Sequence, residues 1–212
     1  MNPYWTTLLG SLLLSAIHAS IPNHWVPLVV LGKTENWTPR QAALYTTIAG
    51  FAHTASTVLV GIVIGVIGVQ LSQEYQLVTR LIAPLVLIAL GVIYLIRDTR
   101  SPRHHHHDPV HISEPRKGTT LGVLLSLCVA MFFSPCMEIE AYYFVASGIG
   151  WVGIWIVSVV YVVVTVLGMV ALTWLGRKGI ERVSLPILEH HEKAITGVVL
   201  LLLGIIGIVF PF

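Results

Sequence analysis

Charge is what this sequence has least of. Of its 212 residues only 12 are Lys or Arg and 10 are Asp or Glu, while 55% are hydrophobic, far from the charged quarter of an ordinary soluble domain. A surface so composed calls for lipid. The formal charge of +2 is too small to suggest nucleic acid, and no such partner is expected. Cysteine is almost as scarce. Cys128 and Cys136 lie in one apolar segment and form neither a secreted-type disulfide framework nor a CxxC redox motif. No HExxH occurs, which disfavours a membrane metalloprotease, and the chain is read as a non-enzyme. No Lys or Arg precedes Lys33, so the first apolar run lacks a signal peptide's basic region and is expected to be retained. The sequon Asn36-Trp37-Thr38 falls in a loop placed in the cytoplasm, where it would not be glycosylated.

What the chain does have is apolar stretches of a length that crosses a hydrocarbon core of roughly 30 Å. They predict helices at about 4–31 (interrupted), 41–71, 77–97, 118–148, 151–176 and 194–211. The loops at 32–40, 97–117 and 177–193 carry Lys33, Arg40, Arg97, Arg100, Arg103, Arg116, Lys117, Arg177, Lys178, Arg182 and Lys193, whereas the alternate loops near 72–76 and 149–150 carry none. Arg80, near the outer end of the third helix, is the exception. Positive charge on alternate loops places these three in the cytoplasm and both termini outside. The expected localisation is a cytoplasmic or plasma membrane, crossed many times. The fold expected is an all-α membrane protein, a single polytopic domain of six transmembrane helices. It is organised as two inverted three-helix repeats, 1–97 and 118–212, around a His-rich loop at 98–117. Helices 1 and 4 are expected to be Pro-broken, at Ile21-Pro22-Asn23-His24 and Ser134-Pro135-Cys136-Met137-Glu138. Paired broken helices commonly mark a substrate site.

The residues that carry chemistry gather at those breaks. Pro22 has no N–H, and in a continuous helix it leaves the carbonyl of His18 without a partner. An unpaired carbonyl in hydrocarbon costs several kcal/mol, so the break is expected to face protein, water or a cation. His18 and His24 point about 240° apart on an unbroken helix, and a break lets them converge. His53 lies near the middle of the second span, beside Thr54, with Ser56 and Thr57 one turn away. Gly61, Gly65 and Gly68 continue that helix as a small-residue packing face. The fourth helix carries Glu138 and Glu140 next to Cys136 and Met137, and a mid-span carboxylate is seldom a bystander. His18, His24, His53, Cys136 and one of the two carboxylates, Glu138 or Glu140, are the expected metal ligands. Asn23, Thr54, Ser56, Thr57, Met137 and Glu140 are expected to touch substrate. Imidazole, carboxylate and sulfur suit Ni²⁺, Co²⁺, Zn²⁺ and Cu²⁺ better than Mg²⁺ or Ca²⁺. His104, His105, His106, His107 and His111 in the third loop form a second, metal-sampling tract, while His190 and His191 read as a solvated loop pair.

These residues resemble the nickel/cobalt transporter family, within the LysE-type six-helix transporter superfamily. That family's signature of His, four residues, Asp and His is similar to His18-Ala-Ser-Ile-Pro-Asn23-His24, with Asn in the Asp position. Gly50 to Thr57 resembles its second His-containing motif. Met137-Glu138-Ile139 stands where the family has Thr-Glu-Ile, which favours Glu138 over Glu140 as the ligand. The resemblance implies transport of a divalent metal ion of the Ni or Co type, in the export direction by the likeness of the His-rich loop. The metal is cargo, with no tightly bound cofactor. Partners expected are the lipid bilayer and the ion, with a homo-oligomer left open. Two other readings stay open: a transporter of a small organic or oxyanion substrate, and a membrane thiol-disulfide electron carrier built on Cys136.

Overall fold

The structure, a computed structural model, describes residues 2–74, 81–100, 120–133 and 136–209. The histidines at 104–107 and 111, together with Ser134 and Pro135, lie outside the described residues. Among those described there is no strand.

Helix starts follow from local chemistry. Asn2 caps α1 (Pro3–Ser20), its side chain accepting the Tyr4 N–H at 3.0 Å, and Pro3 takes the first helical position, where no N–H is needed. Ile21 then adopts extended backbone, φ −64° and ψ 125°, and Pro22 opens α2 (Pro22–Thr34). The Ile21 N–H donates to the His18 carbonyl at 3.1 Å. That carbonyl is therefore paired locally, contrary to the sequence expectation, because the helix stops at Ser20 and closes its last turn with a shorter bond. Asn36 sits at φ 52° in the turn after α2. Thr38 and Gln41 form a reciprocal capping box at the start of α3 (Pro39–Glu74): the Thr38 N–H donates to Gln41 Oε1 (2.9 Å) and the Gln41 N–H to Thr38 Oγ1 (3.3 Å).

Next come α4 (Ala83–Arg100), α5 (Thr120–Phe132) and α6 (Met137–Ala146), the last begun at Cys136 in extended backbone, φ −104° and ψ 103°. A 3₁₀ turn at Ser147–Ile149 and Gly150 at φ 70° lead into α7 (Trp151–Leu175). A π-type turn at Gly176–Ile180 passes into α8 (Glu181–Val209). The segment expected to be a loop up to residue 193 is thus helical from Glu181 on, His190 and His191 included. Hydropathy locates the apolar part of a helix, and α8 continues as a helix beyond that part.

Among the described residues three stretches are long and apolar enough to cross a membrane: Pro3–Thr34 (α1 with α2), Pro39–Leu71 and Trp151–Lys178. The apolar parts of α4, α5 and α8, at Pro84–Ile96, Leu121–Phe132 and Ala194–Ile206, are shorter. The surface is apolar, and the interior holds a hydrophobic core together with a set of buried polar side chains. Trp155, Val159, Val163 and Leu167 of α7, spaced by four, are 49–64% exposed, while His18, His53, Thr7, Ser11, Ser15, Thr57 and Thr165 are buried. Lipid solvates such an outer face at no cost.

Packing of α7 between α1 and α3 sets the register. Gly168 of α7 meets Ala19, and Gly176 meets Trp25 and Val29, so α1 and α2 run parallel to α7. Gly50 of α3 meets Val166 and Met169, and Gly65 meets Ile154, so α3 runs antiparallel. Gly61 packs on the Tyr143 ring and Gly68 on Ser147, in line with the packing role expected of these glycines. Helix α6 fills the centre, with Ile139, Tyr142, Tyr143, Val145 and Ala146 at 2% exposure or less. On the flank, α4 crosses α8 at Gly91 and Gly197, each against the other's carbonyl.

Candidate metal centre

Four expected ligands converge where the broken helices meet α3. His18 comes from the last turn of α1, His24 from the first turn of α2, His53 from α3 and Cys136 from the residue before α6. Their ligand atoms all lie within 4.8 Å of one another, and all four residues are buried. Three of those atoms form a tight triangle. His18 Nε2 is 3.4 Å from His53 Nε2, and Cys136 Sγ is 3.1 Å from the first and 3.3 Å from the second. The His24 ring stands beside them, its centroid 4.4 Å from that of His18 and 4.6 Å from that of His53.

The N···N edge has the length of a coordination shell's, while the two S···N edges are a few tenths of an ångström shorter than such a shell's. A tetrahedral ion with M–N of about 2.0–2.1 Å and M–S of about 2.3 Å needs N···N near ~3.4 Å and S···N near ~3.6 Å. His53 Nδ1 faces the carbonyl of Met131 at 3.2 Å, so the neutral ring carries its proton there and turns a bare Nε2 inward. Donation from the distal ring nitrogen to a backbone carbonyl is the usual outer support of a ligating histidine. The Met131 carbonyl is free for this role because α5 ends at Phe132 and its last carbonyls have no partner within that helix. The break between α5 and α6 thus supplies both the candidate sulfur ligand and the acceptor that orients a candidate nitrogen ligand.

The other expected residues divide. Thr57 joins the site: its Oγ1 accepts from Tyr161 O–H at 3.4 Å, and that phenol is 3.5 Å from His53 Nε2. Thr54 and Ser56 are buried, but their hydroxyls donate to the carbonyls of Gly50 (2.9 Å) and His53 (2.9 Å). Glu138 lies apart from the four-residue group and accepts a hydrogen bond from Tyr94 of α4. Glu140 is also outside the group, with one carboxylate oxygen buried and unpaired within the protein. Glu138 and Glu140 are the second and fourth residues of α6, past the break that aims Cys136. The side chains of Asn23 and Met137 lie outside those described, although both residues are helical.

Sequence reasoning missed Tyr161. It is fully buried in α7, its ring centroid 5.7 Å from that of His18. A phenol in the middle of an otherwise aliphatic span, Val-Val-Tyr-Val-Val, was the available signal, since a buried O–H must find a partner. Cys128 and Cys136 are both free and sit in separate clusters, Cys128 against Leu28, Ala49, Met131 and Met169.

No family model matches the chain, and neither a curated protein nor a solved structure matches it.

Proposed function

We propose that this chain is a membrane transporter of divalent transition-metal ions of the Ni, Co and Zn kind. The observation that carries the reading is the buried group of three imidazoles and one thiol at two helix breaks, within helices apolar enough to span a bilayer. Neutral nitrogen and sulfur donors select borderline ions over Mg²⁺ and Ca²⁺. The position of the site supports cargo over a structural ion. His18 and His24 flank the extended Ile21, and Cys136 sits at the second break, so small rotations about two points would separate the ligands and release the ion. Binding displaces the thiol proton, which offers a route to proton exchange.

The resemblance to the nickel/cobalt transporter family supports the same reading. So does the charge pattern: six spans, two inverted three-helix halves, both termini outside and the basic loops in the cytoplasm. An oxyanion substrate fits less well, because the groups brought together are imidazoles, a thiol and a phenol, with no fixed cation among them. A thiol-disulfide carrier lacks its second cysteine at the site, since Cys128 packs in the other cluster. The test is Co²⁺ flux into proteoliposomes for native protein and His24→Ala. Flux is expected to fall at least about tenfold in the variant, and equal flux from both would sink the assignment.

A further inference from the structure

Hydroxyls inside these helices fall into two kinds. Ser11, Ser20, Thr47, Thr54 and Ser158 donate to the carbonyl four residues back, at 2.7–2.9 Å, the ordinary way a helical Ser or Thr satisfies itself. Thr7, Ser15, Thr46, Thr165 and Thr173 do not. Each is at most 1% exposed and its hydroxyl has no hydrogen-bond partner within the protein. Buried polar atoms are nearly always paired, so five exceptions of one chemical type in one place call for a cause.

Their placement supplies it. Among the described residues all five lie on α1, α3 and α7, three of the elements that meet at the candidate metal centre, and none on α4, α5, α6 or α8. Ser15 and Thr7 precede His18 on α1 by three and eleven residues, about 4 Å and 16 Å along the axis, Thr7 on nearly the same face. Thr46 precedes His53 by two turns on its face. Because α3 is antiparallel to α7, it lies on the side of the site opposite to Ser15. Thr165 follows Tyr161 by one turn, and Thr173 lies two turns beyond, on that same opposite side. The hydroxyls form two short rows, one leading to the cluster and one leading away.

We propose that the seam between α1, α3 and α7 is the route of the ion, with Thr7 and Ser15 on one approach and Thr46, Thr165 and Thr173 on the other. Hydroxyl oxygens left free by their own helix replace part of the hydration shell of a passing cation. They hold it weakly enough to pass it on to the nitrogen and sulfur ligands. Leu28, Ala49, Met131 and Met169, all buried, pack together on the second approach, and Leu14, Ile139, Tyr142 and Tyr143 pack together beside the first, so the structure shows the route closed on both sides. The identity of the cargo rests on the metal reading above; the route itself does not.

The experiment uses the full chain in proteoliposomes, with Co²⁺ as probe and an entrapped chelating dye as readout. Thr46→Val and Thr165→Val remove a hydroxyl at constant side-chain shape. Each is expected to slow flux about tenfold while Co²⁺ affinity at the cluster holds within about twofold, and Thr165→Ser restores the rate. Native rates in both valine variants would overturn the proposal. Independently, Ser15→Cys and Thr165→Cys, made in a Cys128→Ser background and scored at the introduced cysteine by peptide mapping because Cys136 remains, should react with a small water-soluble cationic thiol reagent under Co²⁺ turnover conditions. Val163→Cys, on the lipid face, should not. No reaction at 15 or 165 overturns the route whatever the metal does. Reaction at both, with no Co²⁺ flux by native protein, supports the route and overturns the metal reading instead.

Discussion

Cys136 is the residue on which the coordination chemistry turns. Three histidines alone would make a nitrogen site, and a sulfur 3.1 Å and 3.3 Å from two of their Nε2 atoms moves the preference toward softer ions. Cys136→Ser replaces the thiolate by a hydroxyl that stays protonated at neutral pH. Co²⁺ affinity should drop by about 10- to 100-fold, and the thiolate-to-cobalt charge-transfer absorption should vanish. An unchanged near-ultraviolet spectrum would remove sulfur from the shell. The four residues of the candidate group were legible in sequence because histidine and cysteine are conspicuous in an apolar span, and a Pro beside them signals a turn of the chain. Glu138 was not, since its distance from the cluster depends on where α6 starts. One residue of phase at a break turns a side chain by about 100°, and in the fold Glu138 meets Tyr94. Tyr161 escaped because a lone phenol in an aliphatic helix also reads as core.

Helix breaks and helix crossings work at the next scale. Pro22→Ala gives back the N–H that a continuous helix needs and removes the ring that opposes it, a difference of roughly 3 kcal/mol in favour of continuity. Helix α1 should then run through Ile21, and His24 would rotate about 240° away from His18. The expected result is a folded protein, at least as resistant to denaturant as the native one, with Co²⁺ affinity reduced about tenfold or more. Undiminished affinity would show that the break does not position His24. At the α4–α8 crossing the argument concerns stability alone. A β-carbon on Gly91 would lie 2.7 Å from the Gly197 carbonyl oxygen, and one on Gly197 would lie 2.8 Å from that of Gly91. Both contacts are with backbone, which cannot swing aside. Gly91→Ala and Gly197→Ala should each cost about 1–3 kcal/mol in detergent-induced unfolding. The double variant should lose less than the sum, because one separation of the helices relieves both. Full additivity would contradict the shared contact. Neither crossing partner was readable beforehand. Both helices carry apolar runs with glycines, and nothing in either run names the other. The start of α8 at Glu181 was missed for a related reason, in that charge marks where lipid ends and not where a helix does.

At the scale of the whole molecule, besides the pair His190 and His191 on α8, the chain carries two separate groups of histidine, and their independence is open to measurement. The intramembrane group is held by packing: its four residues are buried, and its supports come from α5 and α7 through Met131 and Tyr161. The run at 104–107 with His111 needs no such frame, since consecutive imidazoles chelate a cation in many arrangements, each of modest strength. Affinity that comes from preorganisation should therefore survive removal of the run, whereas capacity should not. Deleting residues 104–111 is expected to lower the number of Co²⁺ ions bound per chain and leave one tight class, with its affinity unchanged within about twofold and flux at saturating metal retained. In the converse variant, His18→Ala with His53→Ala, the weak class should remain and flux should be lost. Equilibrium dialysis gives stoichiometry and affinity, and the dye-loaded vesicles give rate. If the deletion abolished flux while leaving the tight class intact, the run would be a required delivery step to the site and the two populations would form one path. If it abolished the tight class as well, the buried group would not be the binding site, and the burial and 3.1–3.4 Å spacings of its donors would need another cause.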